Sequence, residues 1–272
     1  AALTMQQGGG VGMDFSTIRP KGAEVKGVGS DASGPLSFMD CWDSMCRTVH
    51  SAGARRGAMM GCLRIDHPDI EDFIDAKMTQ GKVTGANVSV RMDDGFMQAI
   101  KNKVPYTQKF PIHSADPKFS KSIDAEKLWG KIVHNAWKSA EPGILFWDTI
   151  IRESVPDCYA DLGYRTVSTN PCGEIPLCPY DSCRLLAINL FSYVEEPFTK
   201  QASFNFDLFK KHVSAAQRIM DDIIDLELEK VDNILNKIAA DPEQEITKSV
   251  EYQLWQNIKE KAVQGSRTGI GI

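Results

Sequence analysis

Segments with the hydrophobic spacing of strands alternate along this chain with segments that have the spacing of helices. Residues 58–63 form a continuous apolar run, which is typical of a buried strand, and residues 87–90 alternate as a strand does. Helical spacing recurs from Met39 to Val49, and Asp124 precedes a further helical segment as its N-cap. Strands that alternate with helices predict an α/β architecture.

The last third of the chain has a helical pattern. Apolar residues between positions 206 and 240 indicate either one long helix or a broken pair, and Pro242 ends this stretch. A second amphipathic helix carries Leu254 and Ile258. We therefore expect residues 204–263 to form a helical segment.

The charge balance and hydropathy exclude two classes of partner. With 31 basic against 36 acidic residues, the net charge is −5, so the chain offers no basic face for nucleic acid. No apolar run approaches the length of a membrane span, and the N-terminal residues lack the pattern of a signal peptide. We therefore expect a cytoplasmic protein that contacts neither nucleic acid nor membrane.

The seven cysteines, at positions 41, 46, 62, 158, 172, 178 and 183, are odd in number and lack the spacing of a zinc site. Reduced thiols are therefore expected rather than a disulfide framework. The five histidines show no metal-binding spacing either, so no metal site is predicted. Three of the cysteines lie between positions 172 and 183, and such clusters indicate metal, redox or nucleophile chemistry more often than packing.

The densest set of reactive side chains lies in residues 170–174, with the sequence Asn-Pro-Cys-Gly-Glu. In an extended segment, side chains two positions apart point the same way, so Asn170, Cys172 and Glu174 would share one face. An amide, a thiol and a carboxylate together suit covalent or radical chemistry on a hydroxylated substrate. From spacing alone, a turn that merely contains three polar residues is an equally good interpretation.

Five ordered passages, which together span nearly the whole chain, resemble ribonucleotide reductases. The segment from Ser168 to Leu177, followed by residues 182–190, is similar to the active-site finger loop of that family. The remaining passages are residues 8–22, 34–38 and 66–74. The resemblance implies that the chain is a portion of the ten-stranded α/β barrel of these enzymes, with a catalytic finger loop.

The resemblance also implies a role for each residue of the finger loop. Cys172 would become a thiyl radical that removes the 3′-hydrogen of the nucleotide ribose, and Glu174 would act as general base on the 3′-hydroxyl. Asn170 would hold the ribose hydroxyls by hydrogen bonds. Cys183 matches one member of the redox pair that delivers reducing equivalents, whose partner would lie upstream of residue 8. Cys41, Cys46 and Cys62 lie in apolar patterns typical of structural thiols.

Further family positions concern the nucleotides. Substrate contacts would come from Asn170 and from three glycines, Gly9, Gly10 and Gly173. Arg19 matches a basic residue that holds the triphosphate of an allosteric nucleotide, and a guanidinium suits phosphate oxygens. Two loops, residues 22–34 and 79–87, would pass information from effector to substrate site, with candidate base contacts at Gln80, Lys82 and Asn87.

The whole of residues 1–272 is thus expected to be the central part of the catalytic barrel domain. Within it, residues 1–91 would carry the glycine-rich substrate and effector loops, and residues 160–192 the finger loop. The two chain ends have no initiator methionine and no domain-boundary pattern, which favours a fragment or one piece of a split enzyme. Other reductase segments or subunits, a nucleotide effector and a thioredoxin-like reductant would then be its partners.

The motifs are most similar to those of the adenosylcobalamin-dependent class II enzymes, although some are shared with enzymes whose radical comes from a metal-containing small subunit. The expected activity is reduction of ribonucleoside diphosphates or triphosphates for DNA synthesis. Two alternatives stay open: a non-catalytic nucleotide-binding or assembly subunit of a split reductase, and another thiyl-radical enzyme such as a glycyl-radical lyase.

Overall fold

The computed structural model describes residues 1–6, 8–25, 27–51, 55–79, 81–179, 181–242 and 245–271. The chain divides into two compact units, Ala1–Pro176 and Leu177–Ile272. This division falls inside the segment predicted to be the finger loop.

The first unit contains twelve strands within its described part. In chain order they are β1 (Gly10–Asp14), β2 (Glu24–Val25), β3 (Ser30–Asp31), β4 (His50–Ser51), β5 (Arg55–Arg56), β6 (Ala58–Arg64), β7 (Ala86–Met92), β8 (Pro105–Phe110), β9 (Phe119–Asp124), β10 (Gly143–Phe146), β11 (Ser168–Thr169) and β12 (Pro176–Leu177), the last of which ends at the first residue of the second unit. Its helices are α1 (Ala2–Gln6), α2 (Pro35–Thr48), α3 (Ile70–Ile74), α4 (Asp94–Asn102), α5 (Ala125–Ser139) and α6 (Trp147–Glu153), followed by a 3-10 helix, Val155–Leu162.

A four-stranded parallel sheet, in the order β1-β6-β7-β10, forms the centre of the first unit. The two inner strands, β6 and β7, are buried over most of their length because the sheet is covered on both faces. Residues from the helices, among them Met39, Phe73 and Ile132, join the strands in one hydrophobic core.

The predicted elements of this unit are largely confirmed. The buried strand at residues 58–63 is β6, and the helical spacing after residue 38 belongs to α2. Asp124 caps α5 as predicted, since its carboxylate accepts a hydrogen bond of 3.0 Å from the amide of Lys127. Residues 87–90 lie in a strand, but residues 88–90 are all buried because β7 is an inner strand rather than a half-exposed one.

The second unit is built around long helices. Its elements are β13 (Ser182–Ala187), a 3-10 helix (Leu190–Tyr193), β14 (Val194–Glu195), β15 (Ser203–Phe204), α7 (Phe206–Ala240), α8 (Glu245–Gly265) and β16 (Ser266–Gly271). The 35 residues of α7 form one continuous helix, so the alternative of a broken pair is wrong. In the part of the chain that the structure describes, no helix is long and apolar enough to cross a membrane.

Candidate active site

The loop that carries Cys172 is a closed turn between β11 and β12. The amide of Gly173 donates to the carbonyl of Asn170 at 3.1 Å, and the amide of Asn170 donates to the carbonyl of Ile175 at 3.2 Å. The side chain of Asn170 closes the turn, because its Oδ1 accepts a hydrogen bond of 3.0 Å from the amide of Ile175. Gly173 has φ +89°, a backbone conformation that favours glycine.

Of the two interpretations of residues 170–174, the structure has the turn and not the extended segment. Asn170 is buried inside the turn, whereas Cys172 and Glu174 are exposed. Strand alternation does not put the three side chains on one face, because the chain reverses around Gly173. The ribose-binding role of Asn170 stays a prediction, and the structure gives this residue a second task, the closure of the turn.

The turn rests on β1 through two glycines. A Cβ atom at Gly12 would lie 1.7 Å from the carbonyl oxygen of Thr169, and one at Gly10 would lie 2.3 Å from Cγ of Pro171. Only glycine permits such an approach, so part of the glycine-rich segment serves the packing of the loop. The substrate contacts predicted for Gly9 and Gly10 stay predictions.

A second support comes from β7. Nδ2 of Asn87 donates a hydrogen bond of 2.7 Å to the carbonyl oxygen of Pro171, the residue directly before Cys172. Asn87 was predicted as a base contact in an effector loop, and the structure connects it to the finger loop. The candidate site thus contains one connection between two of the predicted functional segments.

A partly buried ion pair that the sequence did not reveal joins β7 to the end of β1. Arg91 on β7 pairs with Asp14 at the end of β1, and its Nη1 also donates to the carbonyl oxygen of Val167 at 3.3 Å. The guanidinium lies 3.5 Å from the ring centroid of Trp147, a cation–π contact. Burial lowers the pKa of Arg91, while the charge of Asp14 opposes that shift. The signal that could have found this pair is an arginine between two apolar residues, Val90 and Met92, in a predicted strand region.

Cys62 lies next to this ion pair and is fully buried. Burial, with a smaller contribution from the charge of Asp14, raises the pKa of its thiol to about 12. The thiol is therefore protonated at neutral pH and cannot act as a nucleophile there. This environment agrees with the predicted structural role of Cys62.

The other predicted residues belong to other elements of the chain or lie outside the described residues. Arg19 is exposed and donates a hydrogen bond of 3.0 Å to the carbonyl oxygen of Glu24. Lys82 lines a cavity of about 360 Å³ together with Gly34 of the other predicted effector loop. Gln80 lies outside the described residues. Cys183 is on β13 in the second unit. Among the side chains that the structure describes, no group of three or more His, Cys, Asp or Glu is arranged to hold a metal ion.

Comparison with known proteins identifies the family. A family model described as "Ribonucleotide reductase, barrel domain" matches residues 1–241 of this chain. The chain belongs to the ribonucleotide reductase family. The predicted fold class is confirmed with it, since the parallel sheet of the first unit is consistent with a portion of the α/β barrel.

Similar reductases come from archaea and bacteria. A vitamin B12-dependent ribonucleoside-diphosphate reductase of Thermoplasma acidophilum is 38% identical over 245 residues, which cover 88% of this chain and 30% of the relative. A protein of the same name from Mycobacterium tuberculosis is 36% identical over 228 residues, which cover 83% of this chain and 31% of the relative. A vitamin B12-dependent ribonucleotide reductase of Streptomyces avermitilis is 33% identical over 245 residues. The matched region covers 80% of this chain and 24% of the relative. The chain thus spans about 30% of the length of the first of these reductases.

Proposed function

We propose that this chain is the part of an adenosylcobalamin-dependent ribonucleotide reductase that carries the radical cysteine, Cys172. The complete enzyme would reduce ribonucleotides to deoxyribonucleotides in the cytoplasm. Family membership and the names of the relatives support this reaction. The single observation that carries the proposal for this chain is the exposed thiol of Cys172 on a turn that is fixed by its neighbours.

A fixed turn suits hydrogen-atom abstraction because the sulfur has to lie within contact distance of one particular C–H bond. The turn is closed from inside by Asn170, held on one side by Asn87 and packed against Gly10 on the other. Each contact reduces the freedom of the Cys172 backbone before substrate binds. Such preorganisation can contribute several kcal/mol to a reaction, roughly 7–11 in well-oriented cases.

The proposed reaction uses side chains of this chain in sequence. Cys172, as a thiyl radical, removes the 3′-hydrogen atom of the ribose, and Glu174 accepts the proton of the 3′-hydroxyl. A proton from the thiol pair, Cys183 and a second thiol, lets the 2′-hydroxyl leave as water. The pair then gives C2′ a hydrogen with its second proton and two electrons as it forms a disulfide, and Glu174 returns its proton to O3′. Cys172 then returns the hydrogen atom to C3′. Asn170, Gly9, Gly10 and Gly173 are proposed substrate contacts.

Adenosylcobalamin, when bound, supplies the radical that removes the hydrogen atom from the Cys172 thiol. The exposure of Cys172 fits a large cofactor that must come within reach of the sulfur. A radical must also be shielded from water, so we propose that other segments of the complete enzyme cover this turn during turnover. A metal-containing small subunit is the alternative source of the radical.

The regulatory and structural parts of the proposal follow the predicted segments. Residues 1–91 would carry the substrate and effector loops, residues 160–192 the finger loop, and residues 204–263 a helical part of the barrel domain. Arg19 would hold the effector triphosphate, with Gln80, Lys82 and Asn87 near its base. That Lys82 and the loop around Gly34 line one cavity supports a shared site for the two loops. A thioredoxin-like protein would reduce the disulfide.

The test is ribonucleotide reduction by the complete reductase that contains this chain, with and without adenosylcobalamin and in the presence of a dithiol. We expect deoxyribonucleotide formation that requires the cofactor. Formation without the cofactor would transfer the radical source to a metal-containing subunit. If no deoxyribonucleotide formed from any diphosphate or triphosphate, the non-catalytic nucleotide-binding alternative would replace the proposal.

A further inference from the structure

The peptide bond between Pro171 and Cys172 is held by a side chain from the central sheet. The carbonyl oxygen of Pro171 accepts the 2.7 Å hydrogen bond from Nδ2 of Asn87. That carbonyl belongs to the same planar peptide unit as the amide nitrogen of Cys172. A donor fixed in space therefore sets the plane of this peptide and, through it, the direction of the Cys172 side chain.

Asn87 is well placed to act as a fixed donor. It is the second residue of β7 and pairs in register with Met60 of β6, so the sheet determines the position of its Cα atom. The burial pattern of β7 shows Asn87 exposed and the other six residues, all of them described, buried. Packing alone does not require an exposed amide in an otherwise buried strand. It does not require the hydrogen bond of that amide to a backbone oxygen of the turn either.

The segment before Asn87 is anchored as well. The amide of Gly85 donates a hydrogen bond of 2.5 Å to the carboxylate of Asp43 on α2, and that carboxylate also pairs with Arg47. Asn87 therefore stands between an anchored loop end and the cysteine turn. A change in the conformation of residues 81–85 would reach Pro171 through Asn87, since a single residue, Ala86, separates Gly85 from Asn87.

We propose that Asn87 is a positioning residue for Cys172, which connects the loop at residues 79–87 directly to the radical-bearing turn. This inference rests on the proposed function, because it concerns the rate at which Cys172 reacts. It goes beyond the predicted base contact of Asn87: the loop acts on the reacting sulfur itself and not on the nucleotide alone. Asn87 touches no reacting atom and acts through the Pro171 carbonyl.

The test compares Asn87→Ala and Asn87→Asp in the complete reductase loaded with adenosylcobalamin, with Asn102→Asp as the matched control. Asn102 is an exposed asparagine at the end of α4, away from the turn. We measure kcat and KM for the ribonucleotide between about pH 5 and pH 8, with every rate taken relative to wild type at the same pH. Wild-type turnover in the same assay separates a failure of this inference from a failure of the proposed function.

We expect kcat to fall roughly ten- to a hundredfold in both Asn87 variants, with KM changed less than threefold, because a small displacement of a reacting group has effects of this size. An ionised aspartate only accepts hydrogen bonds and repels the Pro171 carbonyl oxygen. The loss of kcat near pH 8 should therefore be larger in Asn87→Asp than in Asn87→Ala. Position 87 is exposed and an exposed aspartate has a pKa of about 4, so Asn87→Asp stays ionised and its larger loss should persist down to pH 5. The Asn102→Asp ratio should stay near one throughout.

Two results would overturn the inference while wild type remains active. Wild-type kcat in both Asn87 variants would show that the hydrogen bond does not position the cysteine. Equal losses of kcat in Asn87→Ala and Asn87→Asp throughout this pH range would give Asn87 a merely structural role.

Discussion

Two cysteines of the first unit, Cys62 and Cys172, have opposite environments. Cys62 lies in the middle of a buried strand beside the Asp14–Arg91 ion pair, and its thiol is held in the protonated form. Cys172 is exposed on a turn whose backbone is fixed by Asn87 and by the turn itself. The comparison teaches that a thiol packed in the core is kept unreactive, whereas a thiol exposed on a turn with a fixed backbone is available for chemistry.

The largest expected difference between the two thiols is in their alkylation rates. With a pKa of about 12, only on the order of one Cys62 thiol in ten thousand is ionised at pH 8, and burial also blocks access. We expect iodoacetamide to label Cys62 at least about a thousandfold more slowly than Cys172 in the folded enzyme. The ionised fraction of Cys62 should become appreciable only as the pH approaches the raised pKa.

Peptide mass spectrometry of the labelled enzyme measures both rates. Cys46, which is buried and whose thiol pKa is also raised by burial, should behave like Cys62. Labelling of Cys62 at the rate of Cys172 would show that the two environments do not differ in solution.

The Asp14–Arg91 ion pair gives the next largest effect. Replacement Arg91→Met leaves the partly exposed Asp14 carboxylate with its hydrogen bonds from Ser16 but without its cationic partner, which should lower the free energy of unfolding by about 3 kcal/mol, the lower end of the range for buried pairs. The control is Arg152→Met, because the exposed pair of Arg152 with Asp94 should contribute at most about 1 kcal/mol. Thermal unfolding of the complete enzyme, followed with limited proteolysis near residue 167, measures both. Equal effects of the two replacements on unfolding would show that the Asp14–Arg91 pair contributes no more to stability than an exposed ion pair.

A smaller effect is expected where the turn touches β1. A methyl group at Gly12 collides with the Thr169 carbonyl, so Gly12→Ala should destabilise the enzyme by about 1–3 kcal/mol and displace the turn, with a loss of kcat. Gly130 in α5 is the matched control, since its added methyl group meets nothing within 4 Å. Gly130→Ala should be neutral or stabilise by about 0.5–1 kcal/mol. Full activity of Gly12→Ala would show that the close approach is not needed.

Much of the fold was predictable because its elements carry local signals. The apolar run of β6, the capping carboxylate of Asp124 and the helical spacing of α2 each depend on neighbours in sequence. The hairpin of β8 and β9 was not predicted, because most of its residues are exposed or half-buried and lack a regular apolar alternation.

The site was predictable as a set of residues but not as a geometry. Resemblance pointed to Cys172 and Asn87, yet the hydrogen bond that joins Asn87 to the turn spans 84 residues of sequence. The pairing of Asp14 with Arg91 spans 77 residues. Such contacts depend on strand order and register, which the sequence pattern of each strand does not specify.

The most direct test of the central claim is the replacement Cys172→Ser in the complete enzyme, compared with Cys158→Ser. Serine keeps the shape of the side chain but does not form the sulfur radical, whereas Cys158 is exposed outside the turn and has no proposed role. We predict that Cys172→Ser abolishes ribonucleotide reduction and that Cys158→Ser retains it. Reduction at an undiminished rate by Cys172→Ser would contradict the assignment of Cys172 as the radical-bearing residue.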